Sequence, residues 1–192
     1  MAGAGGTVQL SATAPIGQRP GTKIIAGNLK LVSSGGDVSL TEAGNNVGLL
    51  AADLSGASSL SFKNAGSLTL GTVAVTATGP ANLPQVIGVT TAGAGESITI
   101  STTSGTLTVV KPVTASGSGD VTLKAEGLGQ DLVLNAAIST QSGQIVIRIP
   151  LFLTFLALLG TGIRLFLRNL QPETRPIPTS AGKGKAAEKR RA

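Results

Sequence analysis

The sequence has no cysteine, histidine, tryptophan or tyrosine, only four phenylalanines, and only 12% of its 192 residues are charged. Each scarcity removes a class of chemistry. Without cysteine there are no disulfides, thiolate metal sites or thiol nucleophiles, which suits export through an oxidising space without assigning a compartment. Without histidine the chain lacks the usual acid–base group near neutral pH and the commonest metal ligand. The four aspartates and five glutamates are scattered, and glycoside hydrolysis would need two of them to converge. The nearest such pair is Asp120 with Glu96, on neighbouring turns. Glycine-rich phrases lead into strand-like and not helical sequence, so none forms a phosphate cradle at a helix N-terminus. The expectation is a non-enzyme with no cofactor and no metal. With so few aromatics, any core must be built from aliphatic side chains.

What is present is a repeat. GDVSLTEAG (Gly36–Gly44) returns with small edits as GDVTLKAEG (Gly119–Gly127). Glycine opens a strand-like phrase at Gly95, Gly119 and Gly143, at equal intervals, and a second phrase at Gly105 and Gly129 keeps the same spacing. Within each phrase apolar and polar residues alternate, the pattern of a strand with one buried face. The apolar pairs are Ile98/Ile100, Val121/Leu123 and Ile145/Ile147, with Leu107/Val109 and Leu132/Leu134 between them. Earlier pairs are Val8/Leu10, Leu29/Leu31, Val38/Leu40, Val47/Leu49, Leu60/Phe62, Leu68/Leu70 and Val73/Val75. A whole two-phrase unit recurring at fixed spacing points to a parallel β-solenoid with coils of about 24 residues. About six such coils fit over residues 6–149. A β-sandwich would share the turn density but has no reason to repeat its sequence. Thr78–Pro84 (TGPANLP) breaks the rhythm and reads as a loop bulging from one corner. Asp37 and Asp120 follow glycine and are expected to bond their own local backbone in turns. Isolated GGD and SGD do not make the repeated pattern of a calcium-binding β-roll.

The stretches GNLKLVSSGGDVSLTEAGNNVGLLAADLSGASSLSFKNAGSLTLGTV and GVTTAGAGESITISTTSGTLTV resemble the repeats of filamentous-haemagglutinin-like bacterial surface proteins. The resemblance covers residues 6–149. It implies a right-handed parallel β-helix acting as an adhesin shaft, secreted or displayed at the cell surface in association with the outer membrane. The implied partners are a host-cell or matrix surface and neighbouring β-repeats of a larger protein, and no active-site residues are implied. MAGAGGTVQL has neither a basic region nor an apolar run, so no signal peptide is expected from it.

Charge divides the chain. Residues 1–147 hold six Lys/Arg against seven Asp/Glu, whereas residues 148–192 hold nine against two. The basic character therefore belongs to the tail, and nucleic-acid binding is not expected. The organisation read from sequence is a solenoid over 1–149, an apolar helix over 150–170 and a basic, disordered tail over 171–192. The apolar segment holds eight leucines and three phenylalanines between 151 and 170. It is expected to contact a membrane through Leu151, Phe152, Phe155, Leu158, Leu159 and Phe166, which would anchor the protein. The alternatives are a cap on the open end of the solenoid, or a segment out of its evolved frame in a disrupted gene. A further functional alternative is a ligand- or ice-type surface of outward threonines, with Thr99 and Thr122 in one column and Val146 interrupting it.

Overall fold

The computed structural model describes residues 5–74 and 84–150, and among these the chain is all β, with no helix. The expected helix over 150–170 apart from Pro150, the basic tail and most of the TGPANLP loop lie outside the described residues. Six coils follow one another. The first holds β1 (Thr7–Ala12) and β2 (Ile16–Gly17). The second holds β3 (Ile25–Ser33) and β4 (Val38–Leu40), and the third β5 (Asn46–Leu54) and β6 (Leu60–Asn64). The fourth runs through β7 (Leu68–Leu70), β8 (Thr72–Val73), β9 (Val86–Ile87), β10 (Val89–Thr91) and β11 (Ile98–Thr102). The fifth comprises β12 (Leu107–Val109), β13 (Val113–Ala115) and β14 (Val121–Ala125). The sixth comprises β15 (Leu132–Leu134), β16 (Ile138–Thr140) and β17 (Ile145–Arg148).

The strands stack into three faces. One is the sheet β17-β14-β11-β6-β4-β2, here called the third face. The other two meet in the long strands β3 and β5: the first half of β5 pairs with β7, and its second half with β10. From there β7, β12 and β15 extend the first face, while β10, β13 and β16 extend the second. Every one of these pairings is parallel; among the described residues only β8 and β9 pair antiparallel. The described residues form a parallel β-solenoid.

The alternation seen in sequence becomes aliphatic columns. On the third face Val38, Leu60, Ile98, Val121 and Ile145 lie in register, as do Leu40, Phe62, Ile100, Leu123 and Ile147. The members from Val38 to Leu123 are buried and belong to one core cluster with Leu50, Leu70, Leu107, Val109, Val89 and Val113. Each full column buries four or more large side chains on like neighbours. At about 25 cal/mol per Å² of apolar surface, that stacking is the main favourable term in the fold.

Three expectations need correction. The repeat is not uniform: Leu10 pairs with Leu31 and Val38 with Leu60, both shorter intervals than the one from Val121 to Ile145 in the last coils. The fourth coil is longer than any other, since Leu60 finds its next partner only at Ile98. The extra length is the excursion from β8 to β9, at the corner between the first and second faces. Its two strands lie over the outside of β5, where Val73 and Val86 pack on Ala51, with Val32 and Leu49 at the margin. Lys30 is 1% exposed there, its ammonium donating to the Pro84 carbonyl.

The sequence pattern puts Leu49 on the inward face with Val47. In the structure it points outward under the excursion, and Leu50 takes the inward place. The register of β3 and β5 skips stacked Gly27 and Gly48, and the alternation shifts by one residue there. A Cβ at Gly48 would stand 3.0 Å from the Gly27 carbonyl oxygen, so a side chain there crowds the coil below.

Leu134, Ile145 and Ile147 sit in the inward columns as expected but are 47%, 47% and 39% exposed. They belong to the sixth coil, so only one side of each is packed against a neighbouring coil. Leu132 is partly buried against the core.

Candidate functional site

A stack of polar side chains stands at the corner before the third face. Asp37 Oδ1 accepts the Ser59 N–H at 2.8 Å. Ser59 Oγ accepts the Ser97 N–H at 3.2 Å, and Ser97 Oγ the Asp120 N–H at 3.0 Å. Asp120 Oδ1 then accepts the Gln144 N–H at 2.7 Å. One side-chain oxygen per coil thus takes a backbone donor from the next coil. Sequence predicts that the aspartates close their own turns; instead they tie successive coils together. Spacing made this legible in principle, because each of these residues directly precedes the first inward residue of its strand.

A second stack is buried. Asn45 and Asn64 are both fully buried at the opposite end of the third face. Asn64 Oδ1 accepts the Val47 N–H at 2.8 Å, while Nδ2 donates to the carbonyls of Val47, Gly66 and Ser67. Asn45 Oδ1 accepts the Ile24 N–H at 2.8 Å, and its Nδ2 reaches the Leu40 and Lys63 carbonyls. Thr102, aligned with Asn64, continues the column by donating to the Gly105 carbonyl at 2.8 Å. Sequence reading missed this stack. Its signal was an asparagine within two residues of glycine in KNAG and AGNN, where a short amide can serve backbone groups at a sharp corner.

The two carboxylates paired from sequence are not brought together. Asp120 aligns with Ser97, one residue beyond Glu96, and is engaged by Gln144. Glu96 Oε2 accepts the Gly95 N–H beside it. Among the described residues, no group of three or more His, Cys, Asp or Glu could hold a metal ion.

The outward surface of the third face is a column of Ser39, Ser61, Thr99 and Thr122, ended by Val146. Beside it run Lys63, Ser101, Lys124 and Arg148. Lys63 pairs with Glu126 at 3.3 Å across an exposed surface, an interaction of about 0–1 kcal/mol. Lys124, Ala125, Glu126, Arg148, Ile149 and Pro150 line an open groove of about 360 Å³ next to the sixth coil. The membrane-contacting residues expected from sequence, Leu151, Phe152, Phe155, Leu158, Leu159 and Phe166, lie outside the described residues. Among the described residues no helix is long and apolar enough to cross a membrane.

Asp120→Ala should cost about 1 kcal/mol, the net worth of one hydrogen bond. Amide exchange should report it locally, with the Gln144 amide exchanging faster and those of Val121 and Leu123 little changed. Asp120→Asn keeps an acceptor oxygen and should stay close to the parent.

Compared with protein-family models, curated proteins and solved structures, the chain matches none.

Proposed function

We propose that this protein is a structural shaft, an adhesin-like module of a secreted or surface-displayed bacterial protein, of the kind its filamentous-haemagglutinin-like repeats imply. The observation that carries the reading is the inter-coil bonding. Three parallel ladders, aliphatic columns and the corner stack Asp37–Ser59–Ser97–Asp120 all run along one direction. A load along that direction is shared among bonds of several kinds at every coil. In such a quasi-one-dimensional array each coil is held by its neighbours. The outward residues are small hydroxylated and charged side chains, which suits a spacer exposed to solvent. Its partners in this reading are neighbouring β-repeats and a host-cell or matrix surface.

No catalysis belongs to the proposal. Asp120 and Glu96 are spent on backbone donors, and turnover of a glycan panel is expected to be nil. Activity lost on Asp120→Asn would contradict this.

The column of outward hydroxyls supports a second reading, a ligand- or ice-type surface. Its neighbour column carries Lys63, Lys124 and Arg148, whose long mobile cations do not make the flat matching array that such a surface needs.

Single-molecule pulling of the full chain from its ends tests the shaft. The reading expects lengthening in coil-sized steps, about 80 Å for a coil of about 24 residues at roughly 3.4 Å each. One all-at-once rupture at low force would overturn it.

A further inference from the structure

We propose that the sixth coil is a docking edge for an extended segment that adds one more parallel rung. The segment carries apolar residues at two alternating positions and an acidic residue directly after the second. This rests on the shaft reading and names the partner's chemistry at one place on the rod.

The apolar columns run into the last rung of the ladder, where they are only half covered. Val121 and Leu123 are fully buried, but Ile145 and Ile147, next in the same columns, are 47% and 39% exposed. On the first face the fully buried Val109 is followed by Leu134, 47% exposed. Strands β15, β16 and β17 each pair on one side only among the described residues. Such an edge presents a row of main-chain donors and acceptors, a ready template for another strand.

The corner stack gives that template a direction. Side-chain oxygens of Asp37, Ser59, Ser97 and Asp120 each accept an N–H from the following coil. Gln144 is next in line, and among the described residues nothing donates to its side-chain oxygen. An incoming strand therefore needs an N–H immediately before its first apolar residue.

That requirement decides against a second copy stacked end to end. In the first coil the corresponding position, before Ile16, is Pro15, which has no N–H to give. The sixth coil also offers only short strands, the longest being β17, against the roughly 20–30 residues a side of a stable interface between rigid partners. A strand needs only the edge.

The outward side of the same edge sets the acidic residue. Lys124 and Arg148 occupy adjacent rungs of one column beside the groove. Glu126, the anion nearest in sequence, is paired with Lys63. A carboxylate in the next rung relieves the repulsion between the two cations. The docked segment thus reads donor, apolar, any, apolar, acidic against Gln144, Ile145, Val146, Ile147 and Arg148.

The test is nuclear magnetic resonance on the full chain with two synthetic peptides, GDVTLKA (the sequence of Gly119–Ala125) and its K124E form. At millimolar peptide the amides of β17 should shift and exchange more slowly. The K124E peptide should bind several-fold more tightly, and Gln144→Ala should weaken both peptides several-fold. Ile147→Lys, a change at the half-exposed rod end, should abolish the response. No change at β17, binding that survives Ile147→Lys, or shifts confined to residues 171–192 would each overturn the proposal. So would end-to-end dimerisation that peptide does not compete. A failed peptide experiment leaves coil-sized pulling steps intact, so the edge and the shaft are judged separately.

Discussion

Val121→Asp is expected to abolish accumulation of folded protein. Val121 is fully buried, with Ile98 on one side and Ile145 on the other in a column of five apolar residues. An unpaired carboxylate there finds no donor among aliphatic neighbours, and burying it costs several kcal/mol even if it takes up a proton. Total stability of a domain is only about 5–15 kcal/mol, so the loss is comparable with the whole. The control is one residue away. Thr122 points outward between Thr99 and Val146, and Thr122→Asp should stay within about 0.5 kcal/mol of the parent, as surface substitutions do. Urea unfolding of the two variants side by side measures the contrast. Leu134→Asp should be milder than Val121→Asp, although the sequence pattern alone treats the two alike. At 47% exposure its carboxylate keeps contact with water.

The second large effect is expected at Asn64. Replacement by leucine, similar in size, removes an acceptor for the Val47 N–H and donors to three carbonyls. The Val47 N–H and carbonyl left behind are buried, at about 1–3 kcal/mol for each that stays unsatisfied, while the Gly66 and Ser67 carbonyls lie nearer the surface. Asn64→Leu should therefore cost about 3–5 kcal/mol in urea unfolding, more than removing an exposed corner acceptor such as Asp120. Asn64→Asp keeps the oxygen facing Val47 but loses the donors, so it should also destabilise strongly. If Asn64→Leu unfolds like the parent, the amide is not holding that corner.

These two residues show which parts of the fold were legible in the sequence. Val121 was readable because alternation with period two is imposed by the pleat, and the solenoid repeats it in every coil. The count of about six coils and the parallel stacking followed from the same recurrence. Asn64 was not readable as a buried ladder residue, since asparagine close to glycine marks exposed turns far more often than buried corners. The inversion at Leu49 was hidden for a related reason. The ladder breaks at Gly27 and Gly48, and such a break changes which face the next residue takes without changing the apolar pattern nearby. The varying coil length was masked because the most regular phrases, at Gly95, Gly119 and Gly143, all fall in the evenly spaced last coils. For function, the missing side chains argued against chemistry, while Asp37 and Asp120 signalled partners a coil away only through their shared place before the first inward residue of a strand. That role depends on stacking, which only appears once the register is known.

The register is also where the account is most exposed. The chain has no native cysteine, so a spin label can be placed on a cysteine substituted at Ser39 and another at Val146 without background. These outward positions are joined through Ser61, Thr99 and Thr122 in one column, four rungs from end to end. At about 4.8 Å per rung, a pulsed dipolar measurement should give one narrow distance near 20 Å, allowing for the label arms. A broad distribution, or a distance beyond about 35 Å, would contradict the stacked column and with it the shaft.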